Sequence, residues 1–524
     1  MTVRTLIALL LSGYALFLAM RHNMHMFQLN EYTYDKHFNW IKKNLRQQWL
    51  LYLLSILGIL RLFFPVLGLD IGIYLVLWLI ILDYRAIRRL NTKKKLVYTA
   101  RVKRMIFTIG LIAVLASVLT FLFAGIEPLA GVFSILVGTQ WFMVMVASII
   151  NRPLELCINR HYINDAKRIL KSMPDLKVIG VTGSYGKTSM KYYLQTLLQD
   201  RFSVLVTPGN FNTPLGVTRT VRSYLKPTHE IFICEMGAER VKEIKAVCDI
   251  AHPHMGVITS VGPQHLETFK SMENIQKTKF ELADALPEGG MIFLNGDNEY
   301  IKDYADKHPD RYKNKTFYYS EGSGEGYRAT DIKVSRTGTE FKAITPTGEE
   351  ETFTMKLIGA HNVINVVGAI AVANSLGIAL KDLKGPVRKL RPVEHRLQMK
   401  EQGNVTIIDD SYNSNPVGSK AAVETLALFD GLRILITPGM IELGAKETEY
   451  NRKFGTYAAK CCDYVLLVGK KRTEPIREGV LSEGFPEDRC IAFDRIEEAM
   501  SFACSIKGSE HKYILLENDL PDNY

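Results

Sequence analysis

The sequence predicts an α/β chain in three parts: N-terminal transmembrane helices, a central α/β domain of the P-loop type, and a C-terminal Rossmann-like, doubly wound domain. Three observations carry this. The first 150 residues are mostly hydrophobic; from Leu176 onward short β-branched runs alternate with helical patterns; and in "VIGVTGSYGKTSMKYYLQTLL" an apolar strand runs through Gly183, Gly186, Lys187 and Thr188 into a helix. The expected boundaries are 1–150, 151–390 and 391–524, in keeping with a chain of 524 residues at roughly 100–200 residues per domain.

Apolar runs at 3–20, 50–64, 67–82, 105–123 and 129–150 are read as five spans, since a helix needs ~20 residues to cross a bilayer. Arg61 falls near the end of the second, where it can snorkel to the interface. The segment "DYRAIRRLNTKKKLVYTARVKR" carries nine Lys and Arg against Asp83 alone, which the positive-inside rule assigns to the cytoplasm. The expectation is a multi-pass protein of the inner (cytoplasmic) membrane, its N-terminus outside and its catalytic domains in the cytoplasm. A signal peptide is the competing reading of the first run, but bulky Phe17 precedes Ala19 where a small residue is wanted. Membrane lipids are the partner this implies for the net charge of +11, and no nucleic acid is expected. Seven scattered cysteines with no C-x-x-C pair read as reduced thiols, against a disulfide framework or a zinc site.

The strands follow from β-branched runs closed by Gly or polar residues. "KVIGVTG", "EIFICEMG", "HMGVITSVG" and "MIFLNGD" precede a polar stretch at 311–351 that reads as a β-rich insertion, and "NVTIIDD", "LRILITPG", "DYVLLVG", "RCIAFD" and "KYILLEND" follow it. Regular alternation with helices implies two parallel sheets covered on both faces, with a cleft between the lobes.

Chemistry concentrates at the ends of these strands. Backbone N–H groups of Gly183, Ser184, Tyr185, Gly186 and Ser189 can surround phosphate oxygens at a helix N-terminus, Lys187 can reach the outer phosphates, and Thr188 can hold Mg²⁺. The general phosphate-loop spacing wants glycine at 181, which is Val181; a chance Gly-Lys-Thr in a turn is the competing reading. Glu235 and His265 both follow predicted strand ends, where ligands bind to parallel sheets, and a carboxylate with an imidazole suits a divalent metal. Taken singly, each is also an ordinary polar loop residue. Lys279 lies on an amphipathic helix, where its bland reading is a solvated charge.

The ordered set "TGSYGKTS", "NFNTPLG", "EMGAE", "QHLE", "TKFE", "GAHNVINVVGAIAVA", "HRLQ" and "DDSYNSNP" resembles the Mur ligase family, most of all its MurF type, over roughly two-thirds of the chain. That family writes its loop T-G-x-x-G-K-[ST], which this sequence satisfies. The resemblance implies an ATP-dependent amide ligase working through an acyl phosphate, adding D-alanyl-D-alanine or another amine to a cell-wall precursor that is a small molecule or lipid-linked. Membrane-bound envelope-synthesis partners are a further expectation. By the same resemblance Lys187, Lys279, His265 and Asp410 are catalytic; Thr188 and Glu235 hold one Mg²⁺; and His265 and Lys279 hold a second, with Lys279 carbamylated. Asn362 and Asn365 meet adenine, Arg396 and Asp410 reach the nucleotide from the C-terminal side with Tyr412, Asn413 and Asn415 in the same loop, and His361 is structural. Three features depart from the family pattern: the apolar region stands where the family binds a uridine nucleotide, His395 stands where glycine is usual, and the end "KYILLENDLPDNY" lacks a Lys-Gly-Ser-Arg-like segment. A ligase making a poly-glutamate-type amide shares the ATP residues, whereas a P-loop transporter subunit accounts for the spans but not for "DDSYNSNP".

Overall fold

The computed structural model describes residues 3–64, 69–87, 95–126, 128–312, 315–322, 324–412, 414–508 and 510–519. They form two compact units, residues up to Arg160 and His161–Asp519.

The first unit is helical. Its helices are Val3–Leu29, Tyr34–Lys43, Trp49–Phe63, Asp70–Leu82, Ala100–Ala124, Leu129–Gly138 and the beginning of Gln140–Lys171. Among the described residues, Ala100–Ala124 and Gln140–Lys171 are long and apolar enough to cross a membrane. The run at 105–123 falls within Ala100–Ala124, but the count of five spans, and with it the expected multi-pass localisation at the cell membrane, is corrected. The reason is geometric. Trp49–Phe63 and Asp70–Leu82 have 15 and 13 residues, which at ~1.5 Å per residue fall well short of a hydrocarbon core ~30 Å thick. The run at 129–150 is broken at Thr139, between Leu129–Gly138 and Gln140–Lys171. Arg61 does not snorkel: its Nε donates to Asp70 Oδ1 at 2.9 Å. Arg104 likewise pairs with Glu155 at 2.6 Å. Much of the basic loop, residues 88–94, lies outside the described residues.

The second unit is built on two sheets. The first has nine strands: β1 (Lys177–Thr182), β2 (Val204–Val206), β3 (Ile231–Glu235), β4 (Met255–Ile258), β5 (Met291–Asn295), β6 (Thr316–Glu321), β7 (Tyr327–Ser335), β8 (Gly338–Ile344) and β9 (Glu350–Met355). Their order is β2-β3-β1-β4-β5-β6-β7-β8-β9. Six strand–strand pairings from β2 to β7 are parallel, and β7-β8-β9 is an antiparallel meander. The second sheet comprises β10 (Gln398–Gln402), β11 (Val405–Asp410), β12 (Leu432–Thr437), β13 (Tyr464–Val468), β14 (Cys490–Phe493) and β15 (Lys512–Glu517), in the order β10-β11-β15-β12-β13-β14. It is parallel except at β10.

The sheets are thus mixed: parallel strands were expected, and each sheet carries an antiparallel part at one edge. The polar stretch after 311 supplies the antiparallel part of the first sheet, as its composition predicts. Two strands escape the sequence pattern. β2 is three partly buried residues, and β10 is a polar edge strand with no apolar run to betray it.

Burial explains the layers. The inner strands β1, β3 and β4 are apolar on both faces because helices cover both. Lys187–Leu198 and Ala360–Ser375 pack on one face through Met190, Leu194, Val366 and Ile370, and Glu243–Ala251 and Met272–Asp284 on the other through Val247, Ile275 and Leu282. In the second sheet Pro416–Leu426 and Glu447–Cys461 cover one face and Ile496–Ser505 the other.

Candidate active site

β1 lies between β3 and β4, so the turn leaving it opens at the centre of the sheet's carboxyl edge. Gly183 sits at φ 153°, and a Cβ there would come within 2.1 Å of Thr259 Oγ1; Gly186 caps the following helix at φ 79°. The glycine displaced from the general phosphate-loop spacing is therefore the one that lets the turn lie flat against the exit of β4. That exit braces the turn throughout. Ser184 N donates to Ser260 O at 2.7 Å, Tyr185 N to Ser260 Oγ at 2.9 Å, and Gly262 N to Ser184 Oγ at 3.0 Å.

Lys187 curls over the turn and donates to Gly183 O (2.7 Å) and Ser184 O (3.0 Å). Loss of hydration pushes its ammonium down to about 8, with the charge of Glu235 opposing the shift and that of Arg396 adding to it. Thr188 donates to Glu235 Oε1 at 3.2 Å, and Asn212 Nδ2 donates to the same oxygen at 3.2 Å. Lys191, one helical turn beyond Lys187, is fully buried, with its Nζ 2.9 Å from Glu235 Oε2. It also donates to Thr207 O (2.9 Å) and Gly209 O (2.8 Å), fixing the segment that carries Asn212.

Lys279 is buried, not solvated. Desolvation and the neighbouring charge of Lys187 hold its amine well below the ordinary lysine range, more than Glu243 and Glu281 restore. His265 follows β4, and its Nδ1 is 2.6 Å from Glu442 Oε2 in the C-terminal lobe. Among the described residues no three His, Cys, Asp or Glu side chains gather as a metal cage. The Thr188–Glu235 pair nonetheless suits Mg²⁺, which keeps several waters and is usually held by one or two protein groups together with substrate phosphates.

The two asparagines expected at adenine lie on the helix Ala360–Ser375. Asn365 lies beside Gly186 and donates to His361 O at 3.2 Å; Asn362 accepts from Tyr193 OH at 2.8 Å. His361 is held neutral, its imidazole pushed down to about 4 by burial. From the C-terminal lobe, Arg396 lies over the Tyr412 ring at 4.7 Å. Asp410, at the end of β11, accepts from Leu397 N at 3.2 Å; burial raises its carboxyl to about 6 against the pull of Arg396. Asn415 is a helix cap, its Oδ1 accepting from Val417 N and Gly418 N. Ser189 lies in the first turn of the helix that Lys187 opens, and Asn413 lies outside the described residues.

Lys191, Asn212 and Glu442 were not singled out in the sequence. For Lys191 a signal existed: a lysine four residues after Lys187 lies on the same helix face.

A Gly-rich turn between a central strand and a helix, carrying a lysine and a threonine–carboxylate pair and faced by charged groups of a second α/β lobe, defines a nucleotide-dependent enzyme. The Mur ligase middle domain matches residues 181–373, and the Mur ligase, glutamate ligase domain matches residues 395–517. The chain belongs to the Mur ligase family and is an ATP-dependent ligase. It is 32% identical over 337 residues to the UDP-N-acetylmuramoyl-tripeptide--D-alanyl-D-alanine ligase of Escherichia coli (strain K12), which covers 62% of this chain and 73% of that protein. The enzyme of the same name from Bacillus subtilis (strain 168) is 33% identical over 317 residues, 60% of this chain and 66% of the relative. Among solved structures, MurF from Acinetobacter baumannii superposes with a TM-score of 0.63 at 25% identity, over 69% of this chain and 77% of that one. MurF ligase from Thermotoga maritima in complex with ADP gives 0.61 at 25%, over 69% and 80%.

Proposed function

We propose that this chain is a MurF-type ligase that uses ATP to join D-alanyl-D-alanine to the peptide carboxylate of a UDP-N-acetylmuramoyl-tripeptide in peptidoglycan synthesis. The observation that carries the reading is the Lys187–Thr188–Glu235 arrangement at the carboxyl edge of β1 and β3, within a fold shared with MurF. Residues 151–390 supply the nucleotide-binding half and 391–524 the C-terminal half.

The substrate carboxylate attacks the γ-phosphorus; a P–O bond to the acyl oxygen forms and the bridge to ADP breaks. The amine then attacks the acyl carbon, the C–N bond forms, and inorganic phosphate leaves as the amine loses its proton. Both steps gather negative charge, so preorganised cations and N–H donors lower the barrier. Lys187 and the amides of residues 187–189 in the first turn of its helix hold the β- and γ-phosphates; the expected amides of Ser184 and Tyr185 are instead spent on Ser260. Thr188 and Glu235 hold Mg²⁺, which when bound neutralises phosphate charge. His265 and Lys279 would serve a second ion, and the buried Lys279 amine, held well below the ordinary lysine range, is suited to carbamylation by CO₂, which would make it a carboxylate-like ligand. Asn362 and Asn365 contact adenine, and Arg396 and Asp410 close on the nucleotide from the second lobe.

The test is purified protein with Mg²⁺, ATP, UDP-muramyl tripeptide and D-alanyl-D-alanine. Phosphate release requiring both substrates, with the amide product seen by mass spectrometry, is the expected result. Lys187→Ala reduces the rate by roughly 10²–10³-fold, the cost of losing one charge-stabilising donor. No product from these substrates, or an unaffected Lys187→Ala enzyme, overturns the proposal.

A further inference from the structure

We propose that Glu442 is a positioning residue for this reaction: from the C-terminal lobe it fixes the ring of His265, so that the site on the first sheet is complete only when the two lobes are together. The inference rests on the ligase reading above.

The contact joins residues 177 apart in sequence, at 2.6 Å. Both partners are held in the left-handed region, His265 at φ 51° and Glu442 at φ 65°. For residues other than glycine that conformation is disfavoured and persists where surrounding structure enforces it. The enforcement is visible on both sides. The Glu442 loop is pinned by buried Asn451, which accepts from Met440 N and donates to Met440 O, both at 2.9 Å, and by Asn518 Nδ2, which donates to Gly439 O at 2.6 Å. On the other side, His265 closes the segment after β4 whose earlier residues Ser260 and Gly262 brace the phosphate turn. Two residues beyond Glu442, a Cβ added at Gly444 would lie 3.9 Å from the backbone N of Glu267.

The chemistry follows from the ring. With Nδ1–H donated to a carboxylate, Nε2 carries the lone pair and is the nitrogen left to meet a cation; such an outer carboxylate fixes tautomer and orientation together. A second ion pair joins the same two lobes away from this site, between Arg336 in the β7–β8 turn and Asp430. It separates two roles, because a contact that merely holds the lobes together resembles Arg336, whereas one that orients His265 does not.

The experiment titrates Mn²⁺ into the full chain with a non-hydrolysable ATP analogue, following bound Mn²⁺ by electron paramagnetic resonance, alongside kcat and the nucleotide KM. Glu442→Ala is expected to weaken Mn²⁺ binding and lower kcat by roughly 10–100-fold. Glu442→Gln, which keeps an acceptor oxygen, recovers part of the loss. In a His265→Ala background Glu442→Ala adds nothing, and Arg336→Ala leaves Mn²⁺ binding unchanged. Wild-type Mn²⁺ affinity in Glu442→Ala, or an equal loss in Arg336→Ala, overturns the role of Glu442. A wild-type chain that forms no amide overturns the ligase reading instead.

Discussion

Lys191→Met removes one ammonium and disturbs three partners at once. The Lys191 and Glu235 side chains are 0% and 3% exposed, so solvent does not screen the pair. The substitution preserves most of the side-chain volume but leaves Glu235 Oε2 without its cation and the carbonyls of Thr207 and Gly209 without their donor. Breaking a buried pair from one side costs about 3–5 kcal/mol, because the remaining charge stays buried. At ~2–4 °C per kcal/mol for a domain of some 200 residues, the first lobe should melt on the order of 10 °C lower. Differential scanning calorimetry of wild type, Lys191→Met, Glu235→Gln and Lys191→Met/Glu235→Gln measures this. The double variant should regain part of the loss, since neutralising Glu235 removes the uncompensated charge. An unchanged melting temperature in Lys191→Met, or a double variant that falls by the sum of the single effects, refutes the reasoning.

Lys279→Ala should lose ligase activity and regain some of it when short carboxylic acids are added, because the acid supplies the oxygens a carbamylated lysine provides; an absence of rescue in steady-state assays counts against that modification. Glu517, buried at the end of β15, has its carboxyl raised to about 8 chiefly by desolvation, against hydrogen bonds from Ser414 and Thr437. The folded state therefore holds a proton that the unfolded chain releases near 4.5, and stability falls as pH rises between those values. Glu517→Gln escapes that loss, so its melting temperature relative to wild type should rise from pH 5 to pH 8; a pH-independent difference would contradict the burial argument.

How far the sequence reveals this architecture depends on the kind of signal. β1, β3, β4 and β5 were legible because buried parallel strands must be apolar on both faces, and the turn at 183–188 because only glycine tolerates its conformations. The helical unit was misjudged because a hydropathy run records composition and not where a helix ends; nothing apolar or polar about Thr139 announces the break there. For Lys279 the two readings pointed apart: an amphipathic pattern assigns lysine to water and the family resemblance assigns it to the site, and the structure buries it. Lys191 and Glu442 act through partners 44 and 177 residues away respectively, and such pairings arise only once the sheet brings strand ends together.

The curled posture of Lys187 has a consequence for selectivity. Its ammonium already has two oxygen neighbours, so an arriving anion gains only the difference between its own attraction and that of the carbonyls it displaces. A single small anion gains little by the exchange. A polyphosphate, engaging the first amides of the following helix at the same moment, gains at several points for one displacement. The loop thus carries its own built-in competitor, which raises the threshold for occupancy and favours the multiply charged guest over the abundant simple ones.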